Sequence, residues 1–281
     1  MCDEPTLDAP ATHLAQGLVR LLVHPLLHLT HFNATTLTAM AHPGQPSSHA
    51  TVLHACTGRL KFLETGWPVC DEDLQSLRAS DCLVYSVGVG GDFSFDDSLA
   101  DEGCEVHSFD PTTHLLPRHL AHSHNRVYFH PWGLRGGCRA ANENQSFYGA
   151  MSGEFLTLTE IVHRLGHTHR PPRVLKIDCE GCEWDAFVEM TRTARHLLAH
   201  VDLLMLELHF GGAQFKMSTN SDVARAANLF ASVFRHFGLC LYYHHMNPAG
   251  QGVFKDYHPI LAGLGAPSYE IGLRRCARTY S

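Results

Sequence analysis

Short β-rich runs alternate with helical patterns from residue 80 onward, and this alternation restricts the fold of the chain more than any other feature. Such alternation is typical of βαβ units, which place parallel strands side by side in one sheet. Only a Gly- and Pro-rich turn separates the last two runs, which predicts an antiparallel hairpin. Seven strands are predicted, at 82–87, 105–110, 126–130, 173–178, 202–209, 239–245 and 268–275.

The pattern predicts an α/β, Rossmann-like fold with a seven-stranded, mostly parallel sheet, a terminal antiparallel hairpin and helices on both faces. Its order differs from that of the six-stranded sheet in dinucleotide-binding domains. It fits the core of class I methyltransferases instead. Helices are predicted near 94–102, 155–166, 183–199 and 221–237.

Residues 1–57 lack this alternation, and we predict that they form an N-terminal helical extension with a linker. An amphipathic helical pattern covers 11–31, and the Pro, Gly and Ser residues at 41–50 are typical of a linker. Residues 58–281 are predicted to form a single domain, because their number is ordinary for one hydrophobic core.

Charge and hydropathy argue against two classes of partner. The chain has a formal charge of -7 and no basic run, so a nucleic acid is not expected as its partner. The longest apolar stretch, 17–32, is interrupted by Arg20 and Pro25. We therefore predict that this stretch is neither a membrane span nor a signal peptide. The ten cysteines show no framework spacing, which slightly favours a reducing, cytoplasmic compartment.

The chain contains 23 histidines, many of them in four short clusters. Metal binding would explain them, because imidazole is a common ligand of transition metals. The clusters lie far apart in the chain, however, and no carboxylate or Cys recurs with them at a fixed spacing. We therefore interpret the histidines as compositional bias and assign no metal ligand.

The first predicted strand ends in a glycine cluster that is suited to ligand binding. Gly88, Gly90 and Gly91 follow the strand, and Asp110 closes the next strand about twenty residues later. Glycine allows a ligand to approach the backbone closely and supplies positive φ. Ligands of doubly wound sheets bind beyond the carboxyl ends of the strands, where Asp110 can accept hydrogen bonds from ribose hydroxyls.

The charges around this turn distinguish two cofactors. A dinucleotide needs a helix N-terminus that is free to hold its pyrophosphate. Asp92, Asp96 and Asp97 lie in that region and would repel phosphate. S-adenosylmethionine carries an ammonium and a sulfonium group, so the acidic residues favour this methyl donor.

The stretch "RVLKIDCEGCEWDAF" at 173–187 places three carboxylates at the end of a buried strand. Like charges raise one another's pKa, so Asp178 and Glu180 are costly to assemble for packing alone. Glu183 is also explained by the preference of acids for a helix N-terminus. Cys179 and Cys182 form a C-x-x-C, which we interpret as small packing residues because no second pair accompanies it.

The neighbouring predicted strand ends in "LELHF", which brings two further polar side chains toward the same edge. Glu207 and His209 are expected to join Asp178 and Glu180 in an acid/base cluster or a Mg²⁺ or Mn²⁺ site. We expect catalysis without a metal, with Glu180 or His209 as the base.

"KIDCEGCEW" resembles the signature of FkbM-type S-adenosylmethionine-dependent methyltransferases. "VYSVGVGGDFSFDDSLADEGCEVHSFDP", "GLRG" and "ELHF" are similar to a eukaryotic methyltransferase-like branch of that group. The resemblance covers about 58–275. Ser86 replaces the acid of many class I enzymes, so donor binding is expected to rely more on Asp92 or on backbone groups. The resemblance implies donor contacts at Ser86, Gly88, Gly90 and Asp110, with Gly133 and Leu134 near the adenine.

The resemblance implies a methyltransferase that acts on a hydroxyl oxygen of a sugar or other small molecule. A catalytically inactive binding module with the same fold is an alternative, and a nicotinamide-dependent oxidoreductase is another. The polar, Gly-rich segments 137–153 and 211–220 are expected to line the acceptor pocket as lids.

Overall fold

The computed structural model describes residues 50–51, 56, 58–63, 66–136, 153–210, 219–231, 237–247 and 268–276. The strands within these ranges are β1 (Ala50–Thr51), β2 (Leu60–Phe62), β3 (Pro68–Cys70), β4 (Leu83–Val87), β5 (Glu105–Phe109), β6 (Val127–His130), β7 (Trp132–Leu134), β8 (Glu154–Leu156), β9 (Val174–Ile177), β10 (Leu203–His209), β11 (Leu239–Asn247) and β12 (Ser268–Arg275). The α-helices are α1 (Asp71–Arg78), α2 (Ser94–Asp101), α3 (Leu116–Ala121), α4 (Leu158–Arg164), α5 (Cys182–Thr193), α6 (Arg195–Leu198) and α7 (Asn220–Ala231).

The chain divides into two compact units, with the boundary inside β10. The central unit comprises Cys56–Met205, and the terminal unit comprises Met1–Ala55 and Leu206–Ser281. The predicted domain limits, 1–57 and 58–281, stay a prediction.

The central unit is built on parallel strands in the order β6, β5, β4 and β9. Ser86 in β4 pairs with Ser108 in β5 on one side and with Lys176 in β9 on the other. The start of β10 follows β9, because the Leu203 N–H donates to the Arg173 carbonyl. The loops that leave β4, β5 and β9 therefore emerge at one edge of the sheet.

Apolar burial holds these elements together. All residues of β4 and β9 are buried, as expected of central parallel strands that are covered on both faces. Helices α2, α4 and α5 each bury an apolar stripe, which includes Phe95, Ile161 and Trp184 respectively. Thr157 begins α4 with a reciprocal capping box to Glu160, which fixes where this helix starts.

The terminal unit contains the predicted hairpin. Strands β11 and β12 pair antiparallel, with a bulge between Leu241 and Tyr243, and β1 pairs antiparallel with β11. The predicted fold class is therefore confirmed: the protein is an α/β protein of the Rossmann-like class I type, with a mixed sheet and helices. The two-residue β1 adds to the seven predicted strands.

Several short elements were not predicted. They are α1, α3, the antiparallel pair β2–β3 and the parallel pair β7–β8. The helix predicted at 183–199 is two helices, α5 and α6, and the one predicted at 155–166 is preceded by β8. Most of the two predicted lid segments, and the N-terminal helix predicted at 11–31, lie outside the described residues.

The described cysteines form disulfides, which their scattered spacing in the sequence did not predict. The structure contains the disulfides Cys56–Cys70, Cys82–Cys104, Cys179–Cys182 and Cys240–Cys276, and the described part of the chain has no free cysteine. Three of these bonds join residues from 14 to 36 positions apart, which is why their spacing gave no framework pattern.

Among the described helices, none has the length and apolar character needed to cross a bilayer.

Candidate functional site

The glycine turn after β4 is held tightly between two neighbouring strands. Gly88 and Gly90 have φ angles of +81° and +60°, where a side chain is unfavourable. A Cβ atom on Gly88 would lie 1.5 Å from the Asp178 carbonyl oxygen, and the Gly88 N–H donates to the Phe109 carbonyl at 2.8 Å. Only glycine fits at position 88, so the turn follows from the sequence and the strand order together.

Asp110 is fixed beside this turn by the backbone. One carboxylate oxygen accepts the Gly90 N–H at 2.8 Å, and the other accepts the Thr112 N–H at 2.8 Å. The residue is buried, at 4% exposure. Because each carboxylate oxygen can accept more than one hydrogen bond, Asp110 retains capacity for ligand hydroxyls.

A cavity of about 380 Å³ lies against the turn and Asp110. This volume is in the range of small-molecule sites in proteins. The structure thus brings the glycine turn after β4, Asp110 and the carboxylates that follow β9 to one place in the central unit. The predicted site residues that line the cavity are Gly88, Gly90, Asp110, Gly133, Leu134, Asp178 and Glu180.

Two predicted donor contacts lie elsewhere. Ser86 is fully buried within β4, and its hydroxyl donates to Asp96 at 3.3 Å. Asp92 is exposed and accepts hydrogen bonds from the Ser94 N–H and hydroxyl at the start of α2, which holds its pKa below the usual range. Neither residue is among those that line the cavity. Their contact with a donor stays a prediction, and their geometry gives it no support.

Asp96 occupies the space beneath the turn. It is fully buried in α2, and it accepts hydrogen bonds from the hydroxyls of Ser86 and Ser108. Burial raises its pKa to about 6, although the hydroxyls and the charge of Lys176 oppose the shift. Ser86 is therefore paired with an acid from the helix, and Asp96 is not among the residues that line the cavity.

Further cavity residues were missed by the sequence reasoning. Pro111, Thr112, His114 and Leu115 follow Asp110 directly, and their position after a strand end was a usable signal. Phe155 also lines the cavity, and it packs against Gly133, where a Cβ atom would lie 2.4 Å from its ring. That contact depends on the pairing of β7 with β8, which no local pattern indicated.

The three carboxylates that follow β9, in the stretch 173–187, lie in different environments. Asp178 follows β9, lies 3.7 Å from the Lys176 ammonium and lines the cavity. Glu180 also lines it and has an unusual φ of +59° for a residue with a side chain. Glu183 is buried at the start of α5 and accepts the Gly181 N–H at 2.9 Å, so it stabilises the helix start.

Cys179 and Cys182 are joined by a disulfide that forms part of the cavity wall. Our interpretation of these residues as packing cysteines is thus corrected. The bond closes the loop that contains Glu180 and Gly181, both at positive φ. It therefore restrains the backbone from which the Glu180 carboxylate extends.

Glu207 and His209 belong to the terminal unit, near the end of β10. The His209 Nε2 atom lies 3.7 Å from a Glu207 carboxylate oxygen, and Asn247 donates to the same carboxylate at 2.9 Å. Their predicted role as partners of Asp178 and Glu180 stays a prediction.

The cavity has an acidic lining. Asp110, Asp178 and Glu180 contribute carboxylates, and no Lys or Arg is among the described residues that line it. Apolar groups from Leu115, Leu134 and Phe155 complete the wall. This arrangement suits a ligand with hydroxyls, a flat apolar ring and positive charge. Fold and cavity together define a Rossmann-like protein with a candidate small-molecule site at the carboxyl ends of its strands.

The comparison with known families is specific. Residues 59–249, more than half of the chain, match the family described as "Methyltransferase domain". The chain therefore belongs to this methyltransferase family, and the membership supports S-adenosylmethionine as its cofactor. The narrower resemblance to the FkbM type is not confirmed by this match.

Two curated relatives share part of their length with the chain. The proteins named "Probable methyltransferase-like protein 24" from Homo sapiens and Rattus norvegicus are 28% and 29% identical over 169 and 167 residues. These matches cover 57% of this chain but only 42% and 43% of the relatives, so the chain spans less than half of each.

Among solved structures, the plantazolicin methyltransferase BpumL in complex with a triazolic desmethylPZN analog and SAH is similar at 8% identity and a TM-score of 0.33. The match covers 73% of this chain and 81% of that one. A likeness this low carries no argument about function.

Proposed function

We propose that the central unit binds S-adenosylmethionine in the cavity and transfers its methyl group to a hydroxyl oxygen of a sugar or other small molecule. The observation that carries the proposal is the Asp110 carboxylate, which two backbone N–H groups fix beside the glycine turn. A rigid, buried acceptor at this position suits the two hydroxyls of a ribose.

The remaining cavity residues fit the other parts of the donor. Leu115, Leu134 and Phe155 offer apolar contact for an adenine ring. Asp178 and Glu180 supply negative charge for the ammonium and sulfonium groups. When bound, the donor supplies an electrophilic methyl group, and the chain contributes alignment of the reacting groups.

Glu180 is the proposed base for the acceptor hydroxyl. Its carboxylate would accept the hydroxyl proton as the oxygen bonds to the methyl carbon, which leaves S-adenosylhomocysteine and the methyl ether. The disulfide between Cys179 and Cys182, which flank Glu180 in the sequence, restrains its position. The FkbM-type resemblance supports a hydroxyl acceptor, and participation of Glu207 or His209 stays a prediction.

Calorimetric titration with S-adenosylmethionine tests donor binding. We expect Asp110→Asn to weaken binding about tenfold to a hundredfold, since hydrogen bonds to a charged group contribute about 1.5–3 kcal/mol. Asp92→Asn is the matched control, because the asparagine carbonyl oxygen can still accept from Ser94 and residue 92 does not line the cavity. Equal binding by the native chain and Asp110→Asn would contradict the assignment of the site.

Turnover distinguishes the enzyme from the two alternatives. Labelled donor is incubated with a pool of hydroxylated metabolites and with the native chain or Glu180→Gln. We expect labelled product with the native chain and, at saturating donor, a large loss of turnover with Glu180→Gln that exceeds its loss of donor affinity. Donor binding without product from any acceptor would favour a binding module, and binding of NAD instead of the donor would favour an oxidoreductase.

We also infer that the chain functions in an oxidising compartment. Four disulfides join the described cysteines, and such bonds persist in oxidising environments and are rare in the reducing cytosol. This inference replaces the reducing compartment that the cysteine spacing favoured. Mass spectrometry of the protein from its native source, with alkylation before reduction, tests it: unpaired thiols at these positions would overturn it.

A further inference from the structure

Three side chains with metal-ligand chemistry converge in the central unit, well away from the cavity. They are Glu105, His107 and His167, and their candidate ligand atoms lie within 4.8 Å of one another. Glu105 begins β5, whereas Asp110 follows its end, so the strand separates the two places by about 16 Å at 3.3 Å per residue.

The spacing of the ligand atoms matches a bound transition-metal ion. One Glu105 oxygen, Oε1, lies 3.0 Å from His107 Nε2 and 3.7 Å from His167 Nε2. An ion about 2.0–2.2 Å from each of its ligands separates them by roughly 2.9 Å at right angles and about 3.4 Å in a tetrahedron. Both measured separations are close to these values, and small side-chain adjustments would complete the site.

Each candidate ligand is also held by a second group. The other nitrogen of His107 lies 2.9 Å from His130 Nε2, and the other nitrogen of His167 lies 2.8 Å from the Tyr85 hydroxyl. Arg170 donates to the second Glu105 oxygen at 2.9 Å. Metal-binding histidines are typically oriented in this way, because a hydrogen bond at one ring nitrogen directs the lone pair of the other toward the ion.

We propose that Glu105, His107 and His167 bind a zinc-class divalent transition-metal ion, with His130 and Tyr85 as positioning residues. Two imidazoles and one carboxylate favour Zn²⁺, Cu²⁺ or Ni²⁺ over Mg²⁺ and Ca²⁺, which prefer oxygen ligands. The Glu105 side chain is 30% exposed, so the ion can enter from solvent and keep a water in its fourth position.

Hydrogen bonds alone offer another use of the same groups. His107 Nε2–H can donate to Glu105, and the Tyr85 hydroxyl can donate to His167. In that arrangement the histidines form a closed network that links β4, β5 and the segment after α4, and zinc would not bind there. The metal site predicts that the chain binds one ion and loses it when a ligand residue is replaced. The hydrogen-bonded network predicts that no tightly bound ion is present to be lost.

Titration of the chelator-treated full chain with Zn²⁺ and with Co²⁺ tests the proposal. The variants are His167→Gln and Glu105→Gln, and the matched control is His124→Gln, which also removes an imidazole that faces a carboxylate, that of Asp101 at 3.3 Å. Folding of each variant is checked by circular dichroism and thermal unfolding without metal.

We expect the native chain and His124→Gln to bind one tight Zn²⁺ that both ligand variants lose or bind at least a hundredfold more weakly. Co²⁺ in this site should give visible absorption bands typical of low coordination number, which also disappear in the ligand variants. Because other histidines can bind zinc weakly, the loss of one equivalent is the decisive reading. Equal stoichiometry and affinity in the native chain and in a folded His167→Gln, or no tight equivalent in the native chain, would overturn the proposal.

Discussion

The two edges of the parallel sheet in the central unit are built by different means. At the carboxyl edge, backbone groups make most of the connections: Gly88 donates to the Phe109 carbonyl, and Asp110 accepts two backbone N–H groups. Side chains that remain available, such as those of Asp178 and Glu180, line a cavity.

At the amino edge, side chains bind to one another. Cys82 and Cys104 join the segments that lead into β4 and β5 by a disulfide. Arg170 forms ion pairs with both Asp81 and Glu105. Comparison of the two edges indicates different roles. Cross-links between separate strands at the amino edge contribute stability, whereas the acidic groups at the carboxyl edge, beside a disulfide that closes only a short loop, serve donor binding.

Gly88→Ala tests the carboxyl edge most severely. A Cβ atom 1.5 Å from a backbone oxygen, in a residue with φ of +81°, requires β4 and β9 to move apart. We expect a loss of more than about 4 kcal/mol in the free energy of unfolding, or no folded protein, by urea denaturation.

Gly90→Ala is the control for this substitution. Gly90 also has positive φ, but a Cβ atom there would have no neighbour within 4 Å among the described residues. The expected cost is only about 1–2 kcal/mol. Similar losses in the two variants would show that the close approach at Gly88 is unimportant.

Removal of single disulfides compares the edges directly. The Cys82–Cys104 bond spans 22 residues, and its replacement by two alanines should lower stability by about 3 kcal/mol without changing donor affinity. The Cys179–Cys182 bond spans three residues, so the same replacement should cost less, about 2 kcal/mol.

The two disulfide replacements are expected to rank in the opposite order in their effect on donor affinity. Cys179 and Cys182 line the cavity and restrain Glu180, so their replacement should weaken binding in calorimetry. If the Cys82–Cys104 variant lost donor affinity to the same extent, the separation of roles between the edges would be wrong.

The sequence predicted the carboxyl edge better than the amino edge, for a physical reason. Gly88, Gly90 and Asp110 are local features: each follows a strand, and all strand ends of a parallel sheet meet at one edge. Asp178 and Glu180 were found by the same argument. Ser86 was assigned to the donor by resemblance, and Asp92 because Ser86 lacks the acid of many class I enzymes; the structure places both outside the cavity lining.

The amino edge depends on contacts between distant segments. Cys82 and Cys104 belong to different strand starts, and His107, His130 and His167 meet only after β5, β6 and the segment after α4 have packed. The histidine clusters in the sequence gave no indication that these three histidines meet in the fold. Prediction from one sequence therefore grouped the residues that follow strand ends correctly in space, and missed the groups whose side chains join across the sheet.

Asp96 provides a pH test beneath the carboxyl edge. Its folded pKa is raised to about 6 by burial, above the usual 3.8, so the folded state holds this proton more tightly than the unfolded state. The stability that Asp96 contributes is therefore fully present below about pH 4 and is lost as the pH rises through 6, by about 2–3 kcal/mol.

Asp96→Asn should remove this dependence. Asparagine stays neutral, and the hydroxyls of Ser86 and Ser108 can either donate to it or accept from it. We expect the variant to gain about 2–3 kcal/mol relative to the native chain between pH 4 and pH 8, by denaturation at several pH values. A difference between the two proteins that stays constant with pH would contradict the raised pKa.

The smallest expected effect belongs to the exposed part of the amino edge. Arg170 contacts the Asp81 carboxylate with two nitrogens, at 2.7 and 2.6 Å, but the Asp81 side chain is 71% exposed. Water and salt screen such a pair, so Asp81→Asn should cost only about 0.5 kcal/mol, and less at 1 M salt. Urea denaturation at low and high salt measures this difference. A cost above about 2 kcal/mol would mean that Asp81 also holds Arg170 against Glu105, and that the ion pairs, as well as the disulfide, secure this edge.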